Sequence, residues 1–594
     1  MILDISQQTL NILALSKIIF FLYTFLIIFF IYKKKQPWVF MLLTTVVFVS
    51  FYLVLALPLK TMWWGNVGDE LFVLGFLGKV LLGNPWHDFY YDWLPQFYPP
   101  LYFWVTGLLS RPFASNAIVA AKAGIAGTLI LWFLGSYLWQ KYFWNKISLV
   151  KKVENLERRL RRAQPSCREE DKSIESSAWF WWLLPVIYIA MLDFDSVMLK
   201  PYECLPALFS VILIGFIAKS FNNKKWNYKQ YLFIGVTGGL LFLIYYFWWV
   251  MLVPAIFVLA LLAKDKWLNI KRTVLFGLII SLIASVFIVP LLLSYFKYGL
   301  EAGQATHFVP EDFFSYVPWQ HLSLQSIMYV FGLAALIFFV KKSFVKASLI
   351  VLASTFVYQF FNQFLFLLGH KPIQASKGFW FLGTAAIAVG LTYLLIYVYK
   401  KYISQWQLKF KRGVVILGFL LLVSRMPFVY FMDDPVVLRQ IEQDLHAQQK
   451  ITQLVEAIKN NVPDNAERTW LSSGSMEVGA YLPLSYYITH SVHFSHHAAN
   501  YNVRMAEIEK LSAANNPEEF IEIIDKGYPR QIDAMLLYHN TDLYGVDEYL
   551  LWFWHDDFPN GGKDVELRIQ KDLISEQYWQ EVYNLNNWSI FVRK

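Results

Sequence analysis

"WGNVGDELFVLGFLGKVLLGNPWHDFYYDWLPQFYPP", Trp64 to Pro100, directly follows an apolar run, yet it carries Asp69, Glu70, His87, Asp88 and Asp92 among many aromatic residues. Its reading decides the fold. The apolar part, "LFVLGFLGKVLL", is too short to cross a hydrocarbon core, which takes roughly 20 residues. A short apolar segment behind two adjacent carboxylates fits a piece anchored at a membrane surface. The stretch is therefore read as one long loop between spans.

The surrounding chain supplies the membrane. With 57% hydrophobic residues in 594 positions, it holds several apolar runs long enough to span, which makes it a polytopic integral membrane protein. The net charge of +9 does not point to nucleic acid, because the excess Lys and Arg falls in short loops between apolar runs, where it orients a chain in a bilayer. Two cysteines, Cys167 and Cys204, offer neither a disulfide framework nor metal-type spacing. The N-terminal apolar run has no basic region before it and no small-residue cleavage site after it, so it is read as a retained first span.

Basic clusters at Lys33–Lys35, from Lys141 through "KKVENLERRLRRAQPSCREEDK", and at "KSFNNKKWNYKQ", "KDKWLNIKR", "KKSFVK" and "YKKYISQWQLKFKR" are assigned to the cytoplasmic side. Spans then fit near 17–32, 38–57, 117–140, 179–192, 203–219, 231–247, 250–263, 273–294, 325–340, 346–368, 379–398 and 413–431, about twelve in all. The parity closes if "PPLYFWVTGLLSRPF", 99–113, is an interfacial helix rather than a span. The outer face then receives the loop 58–116, "LDFDSVMLKPYE" at 192–203, residues 294–321 with Glu311, "GHKPIQASKGF" at 369–379, and everything after Phe431.

That last part is a second domain. From Met432 to Lys594 no run is long enough to span, and helix-like stretches ("VVLRQIEQDLHAQQKITQLVEAIKNN", "VRMAEIEKLSAA") mix with strand-like ones ("RTWLSS", "IDAMLLY", "VELRIQ", "WSIFVRK"). About 160 residues are ample for one core. The expectation is a membrane domain over 1–431 and an extracytoplasmic α/β or α+β domain over 432–594.

A single acid on such a loop is often an ordinary solvated charge. Adjacent Asp69 and Glu70 at a membrane surface suggest general-base work or coordination of a divalent cation, since burial and mutual repulsion tune carboxylate pKa values. Lys200, Lys371 and Lys377 are outer-face cations at span ends, unusual under the positive-inside rule; each either binds an anion or snorkels to a headgroup. Glu203 is placed to pair with Lys200 at the corner of "LKPYE". His490, His493, His496 and His497 have helix-like spacing but no nearby acid or cysteine to complete a tetrahedral zinc set.

The acidic pair followed by "DWLPQFYPPLYFW" resembles the polyprenyl-phosphate-dependent glycosyltransferases of the GT-C superfamily. "GDELF", "FYPPLYFW", "LKPYE", "GGLLFLIYYFWW", "VHFSHHAANYNVR", "IDAMLLY" and "FPNG", in this order, resemble more narrowly the AftA arabinofuranosyltransferases, which act on the galactan of actinobacterial cell walls. The resemblance runs over nearly the whole chain, although the abundance of Lys, Asn, Ile and Phe is unlike that of actinobacterial members. It implies a GT-C fold, a multi-pass location in the cell membrane, a polyprenyl-phosphate sugar donor and an envelope polysaccharide acceptor. It further implies Asp69 as base with Glu70 beside it, Lys200, Glu203, Lys371 and Lys377 around the donor phosphate, and His87, Asp88, Asp92, Tyr98, His493 and His496 around the acceptor.

Two other classes stand against this reading. A secondary transporter would carry paired broken helices and mid-membrane polar groups, whereas here polar residues gather at one face. An envelope assembly protein would explain the tail but leave the acidic loop without a task.

Overall fold

The computed structural model describes residues 5–63, 68–114, 116–144, 174–192, 194–223, 225–301, 322–370, 372–426, 434–446, 449–474, 476–541, 547–556 and 562–594. Lys371, Glu311, Cys167, the basic 151–172 loop and the 431/432 boundary lie outside these residues.

Each of the twelve stretches read as a span contains a helix. Among the described residues, seven helices are long and apolar enough to cross a membrane: Gln7–Tyr32, Pro37–Ala56, Ala117–Tyr142, Pro201–Phe221, Lys266–Tyr298, Ser343–Leu367 and Phe379–Gln405. Ala178–Met191, Tyr228–Ile244, Trp248–Leu261 and Leu324–Phe338 are apolar but shorter, and Leu408–Val423 has 16 residues. The architecture is a polytopic helical membrane protein. The "PPLYFW" segment forms the ten-residue helix Leu101–Ser110, too short to span, as its length required.

Helix starts follow local chemistry. Pro201 opens Pro201–Phe221, since a missing N–H costs nothing at the first helical position. The run 228–261 is divided because Tyr245 leaves the helix at φ −158°, ψ 99°. A tight turn at 245–247 then leads into Trp248–Leu261.

The tail carries a seven-stranded mixed sheet: β1 (Thr469–Ser472), β2 (Ser485–Tyr486), β3 (Ala534–Thr541), β4 (Asp547–Asp556), β5 (Gly562–Gln570), β6 (Trp579–Leu585) and β7 (Trp588–Arg593). β1 runs parallel to β2 and β3, while β4, β5, β6 and β7 add antiparallel pairings. One sheet face packs Met535, Leu537, Tyr549, Leu551 and Phe553 beneath helices Tyr501–Ser512 and Pro517–Asp525. Alternate residues Ala534, Leu536 and Ile590 join the core shared with the membrane helices, as the period of two in a strand dictates.

Polar contacts fasten the tail at several points. Asp444, 1% exposed, accepts from Lys60 N at 2.8 Å and from the Thr61 hydroxyl. Glu442 accepts from Ser6 N at 3.1 Å and Ser6 Oγ at 2.9 Å, at the start of the first helix. Tyr486 N donates to Tyr90 O at 2.7 Å, and Glu301 N donates to His497 O at 2.7 Å.

Candidate active site

Gly68 has φ +57°, a region where an added Cβ is strained, and it turns the chain into helix Asp69–Leu81. Both acids therefore sit in the first helical turn, where the helix dipole favours negative charge. Successive helical side chains point about 100° apart, and the two carboxylates part company. Asp69 Oδ2 meets Lys200 Nζ at 2.7 Å. Glu70 is fully buried on the side of Tyr52 and Lys122, both of which feel its charge.

Lys200 stands immediately before Pro201, at the mouth of its helix. The residue expected to pair with it does something else. Glu203, 1% exposed, binds Lys377 instead, Oε1 to Nζ at 2.8 Å. Lys377 is placed by the 374–378 turn, where Gly378 lies so close to Met251 that an added Cβ would fall 2.4 Å from its sulfur. Its ammonium sits 5.3 Å from the Tyr245 ring centre.

Aromatic walls surround these two ion pairs. Tyr98 lies 5.7 Å from Tyr202, 6.2 Å from Tyr245 and 5.0 Å from Phe72, ring centre to ring centre. The Trp248 indole donates to Glu203 O at 3.1 Å. Five separate segments thus converge: the 58–116 loop, 192–203, the 245–247 turn, 369–379 and the tail through His493. Four of them are the loops and tail assigned to one face by their charge pattern.

The electrostatics favour an ionised carboxylate. Burial pushes against charge on Asp69, but Lys200, His493 and Lys377 outweigh it and hold its pKa down to about 2. Burial likewise opposes charge on Lys377, and Glu203, Tyr98 and Asp69 overcome it and raise its pKa. Asp69 keeps 26% of its side-chain surface open, so it is recessed but reachable. Because Asp69 faces two lysines and Glu70 turns inward, the residues present do not fit a divalent cation between the two acids. Among the described residues, no group of three His, Cys, Asp or Glu is placed to hold a metal.

The expected acceptor residues divide. Tyr98 and His493 belong to this cluster. His87 is exposed and bonds through Nδ1 to Asp92 O in its own loop. Asp88 is buried and accepts from Tyr90 N and Tyr91 N at 3.0 Å each, fixing the turn. Asp92 Oδ2 faces Arg530 of the tail at 3.6 Å. His496, 1% exposed, takes a hydrogen bond on Nδ1 from Ala498 N at 2.8 Å and packs on Phe97. His497 meets the Tyr295 hydroxyl at 2.9 Å. These residues hold loop and tail together rather than line the Asp69 cleft. Burial drives the pKa of His497 down to about 4, in keeping with a packing role.

The sequence reading missed Tyr202 and Tyr245 as site residues. Both lie in motifs it singled out, "LKPYE" and "GGLLFLIYYFWW", but a tyrosine beside an apolar run reads equally well as a membrane-interface anchor.

Comparison with known proteins bears on the tail. ArnT from Cupriavidus metallidurans in the apo state has a TM-score of 0.47 at 11% identity, over 92% of this chain and 97% of that one. ArnT bound to undecaprenyl phosphate has a TM-score of 0.45 at 11% identity, with the same shares covered. The Archaeoglobus fulgidus oligosaccharyltransferase complex with Zn and sulfate has a TM-score of 0.44 at 11% identity, over 89% of this chain and 75% of that one. No curated protein sequence matches the chain. Residues 438–590 match the family described as arabinofuranosyltransferase A C terminal. That interval contains "VHFSHHAANYNVR", "IDAMLLY" and "FPNG", so the tail of this chain carries the signature of the arabinofuranosyltransferase A C-terminal family, the one its motifs resemble.

Proposed function

We propose that the chain is a membrane glycosyltransferase of GT-C type. It moves a sugar, arabinofuranose, from a polyprenyl-phosphate donor to a cell-envelope polysaccharide, with site and tail on the extracytoplasmic side. The observation that carries this reading is the pair of recessed ion pairs, Asp69–Lys200 and Glu203–Lys377. They meet where five segments converge above the helices, the depth at which a lipid phosphate and its sugar would sit. The family match of the tail supports the sugar class.

The chemistry follows from the charges. An acceptor hydroxyl oxygen attacks the anomeric carbon, the bond from that carbon to the phosphate oxygen breaks, and the hydroxyl proton passes to Asp69. A carboxylate held at about pKa 2 is always ready to accept a proton but is a weak base. Binding of an anionic phosphate beside Lys200 and Lys377 offsets that bias, because part of their field is then spent on the phosphate and the basicity of Asp69 rises. The same two ammonium groups stabilise the negative charge that grows on the leaving phosphate. Half-buried Tyr98 supplies an apolar ring face for the sugar, with the buried rings of Tyr202 and Tyr245 packed behind it.

The test is transfer in reconstituted vesicles. Radiolabelled polyprenyl-phosphate arabinofuranose and a galactan acceptor should give labelled polymer with the wild-type protein. Failure to transfer with that donor, while another lipid-linked sugar works, would move the enzyme to a different donor. Failure with every such donor would end the glycosyltransferase reading.

A further inference from the structure

The tail holds a second concave feature, away from the two ion pairs. It is an open groove of about 310 Å³ whose lining includes Glu477, His490, Trp552, Trp554, Asp564 and Trp588. We infer that this groove is a glycan-binding subsite that holds the neutral polysaccharide acceptor beyond its reacting end. The inference deepens the proposed function and rests on it for the direction of the bound chain.

Strand register builds the groove. Tyr538 of β3 is paired with Trp588 of β7 and Leu550 of β4; directly paired residues share a face, as do residues two apart in one strand. Trp552 and Trp554 therefore project on the Tyr538 side, joined by Asp564, the β5 partner of Trp554. The Tyr538 ring stands 5.4 Å from Trp552 and 5.3 Å from Trp588, giving a continuous aromatic row across three strands. Leu536 and Ile590, on this same face, pack into the core shared with the membrane helices. The row lies on the side of the tail that meets the rest of the molecule.

The polar lining selects the ligand. Glu477 is half-buried, has its pKa raised by burial, and makes no hydrogen bond or ion pair among the described residues. Nδ1 of His490 is buried without a partner among them. Among the described residues no Lys or Arg lines the groove, so phosphates and nucleic acids are disfavoured. Aromatic faces with hydroxyl-seeking carboxylates and a ring nitrogen suit a sugar, which offers C–H faces to the rings and O–H donors to the acids. The volume lies at the lower end of small-ligand pockets, about 300–1,000 Å³, enough for a short run of sugar rings.

Position ties the groove to the chemistry. Trp554 N donates to His490 O, and Trp554 bridges Ser491. Three residues beyond His490 stands His493, whose charge reaches Asp69. Three residues span at most about 10 Å, so a polymer lying in the groove has its end within a few sugar units of the Asp69 carboxylate.

The experiment uses the full chain in nanodiscs, titrated with a soluble neutral arabinogalactan oligosaccharide and read by saturation-transfer NMR. Trp552→Ala should weaken binding about ten-fold. Asp564→Ala, at an exposed position that leaves the fold intact, should weaken it about three-fold. Asp69→Asn should bind as wild type does. In transfer assays, Trp552→Ala should raise the apparent KM for a long acceptor while leaving turnover of a two-sugar acceptor unchanged. Wild-type binding that neither groove substitution weakens overturns the subsite, as does a groove that takes a trimethyllysine peptide in preference to the glycan. Glycan binding at the groove without transfer from any lipid donor would keep the subsite and remove the proposed enzyme. Transfer with equal KM in wild type and Trp552→Ala would do the reverse.

Discussion

Two groups of acids, both drawn from the same 37-residue stretch, behave in opposite ways. Asp69 is satisfied by a cation from a distant segment, in a cleft that remains partly open. Asp88, only a few turns of chain later, spends Oδ1 on the N–H groups of Tyr90 and Tyr91 beside it. A charge whose partner comes from far along the chain is held in place by the whole fold and can trade that partner for a ligand. A carboxyl absorbed by its own loop is part of that loop's construction. On the proposed function, the division separates reaction from architecture more sharply than residue type does, since both are aspartates of one loop.

The comparison breaks first at Asp69. Asp69→Asn should lower kcat by about 10²–10⁴-fold, the range for loss of a general base, with insertion and expression unchanged; near-normal turnover would transfer the role elsewhere. The Glu203–Lys377 pair comes next. Lys377→Gln alone leaves a buried carboxylate without its cation and should cost about 3–5 kcal/mol in stability. Adding Glu203→Gln should restore thermal stability but leave transfer about 10²-fold down, because the phosphate still lacks its charge partner. Recovery of both would reduce the pair to a packing device.

Removing Lys200 sharpens the point through pH. With Asp69 held at about 2, it stays ionised at every pH above that value, so it imposes no acid limb on kcat/KM in the working range. Lys200→Met takes away an attraction that depresses this pKa, so the acid limb should move upward. A profile that does not shift would show that Lys200 leaves the Asp69 charge unchanged.

The histidines test the same division more finely. His493→Ala, near Asp69, should raise the acceptor KM several-fold; His496→Ala, packed on Phe97, should lower thermal stability and leave KM unchanged in the folded enzyme. Similar KM effects in both would merge what the structure separates. The smallest effect on transfer belongs to Asp88. Burial, partly offset by its backbone bonds, raises its pKa from 3.8 to about 7. The folded state therefore holds a proton there that the unfolded chain has lost, and stability falls as pH rises from about 4 to 7. Asp88→Asn keeps the Oδ1 acceptor and should flatten that slope, measurable by thermal melts across the interval.

Much of this was legible from charge and period. Lys and Arg parity gathered onto one face the segments that bring Asp69, Lys200 and Lys377 together, and the tail strands at "RTWLSS", "IDAMLLY", "VELRIQ" and "WSIFVRK" are β1, β3, β5 and β7. β4, "DEYLLWFWHD", went unread because an almost continuous apolar run shows no alternation. Tyr245 was hidden inside a run that looks uniformly apolar, and only its departure from the helix turns it toward Lys377. The partners of Lys200 and Glu203 were exchanged because sequence spacing favours neighbours, whereas Asp69 and Lys377 arrive from more than a hundred residues away.

The contacts of Glu442 with Ser6 have a meaning for biogenesis. They join residues 436 apart in sequence, so helix Gln7–Tyr32 waits for a segment synthesised long after it before its N-terminal end acquires these partners. Loop closure over such a distance is late and slow. Until then the cleft around Asp69 is without the tail and His493, and a chain interrupted in synthesis would carry the membrane half without that side of the cleft. On the proposed function, a copy becomes competent only after the tail has folded against the membrane helices.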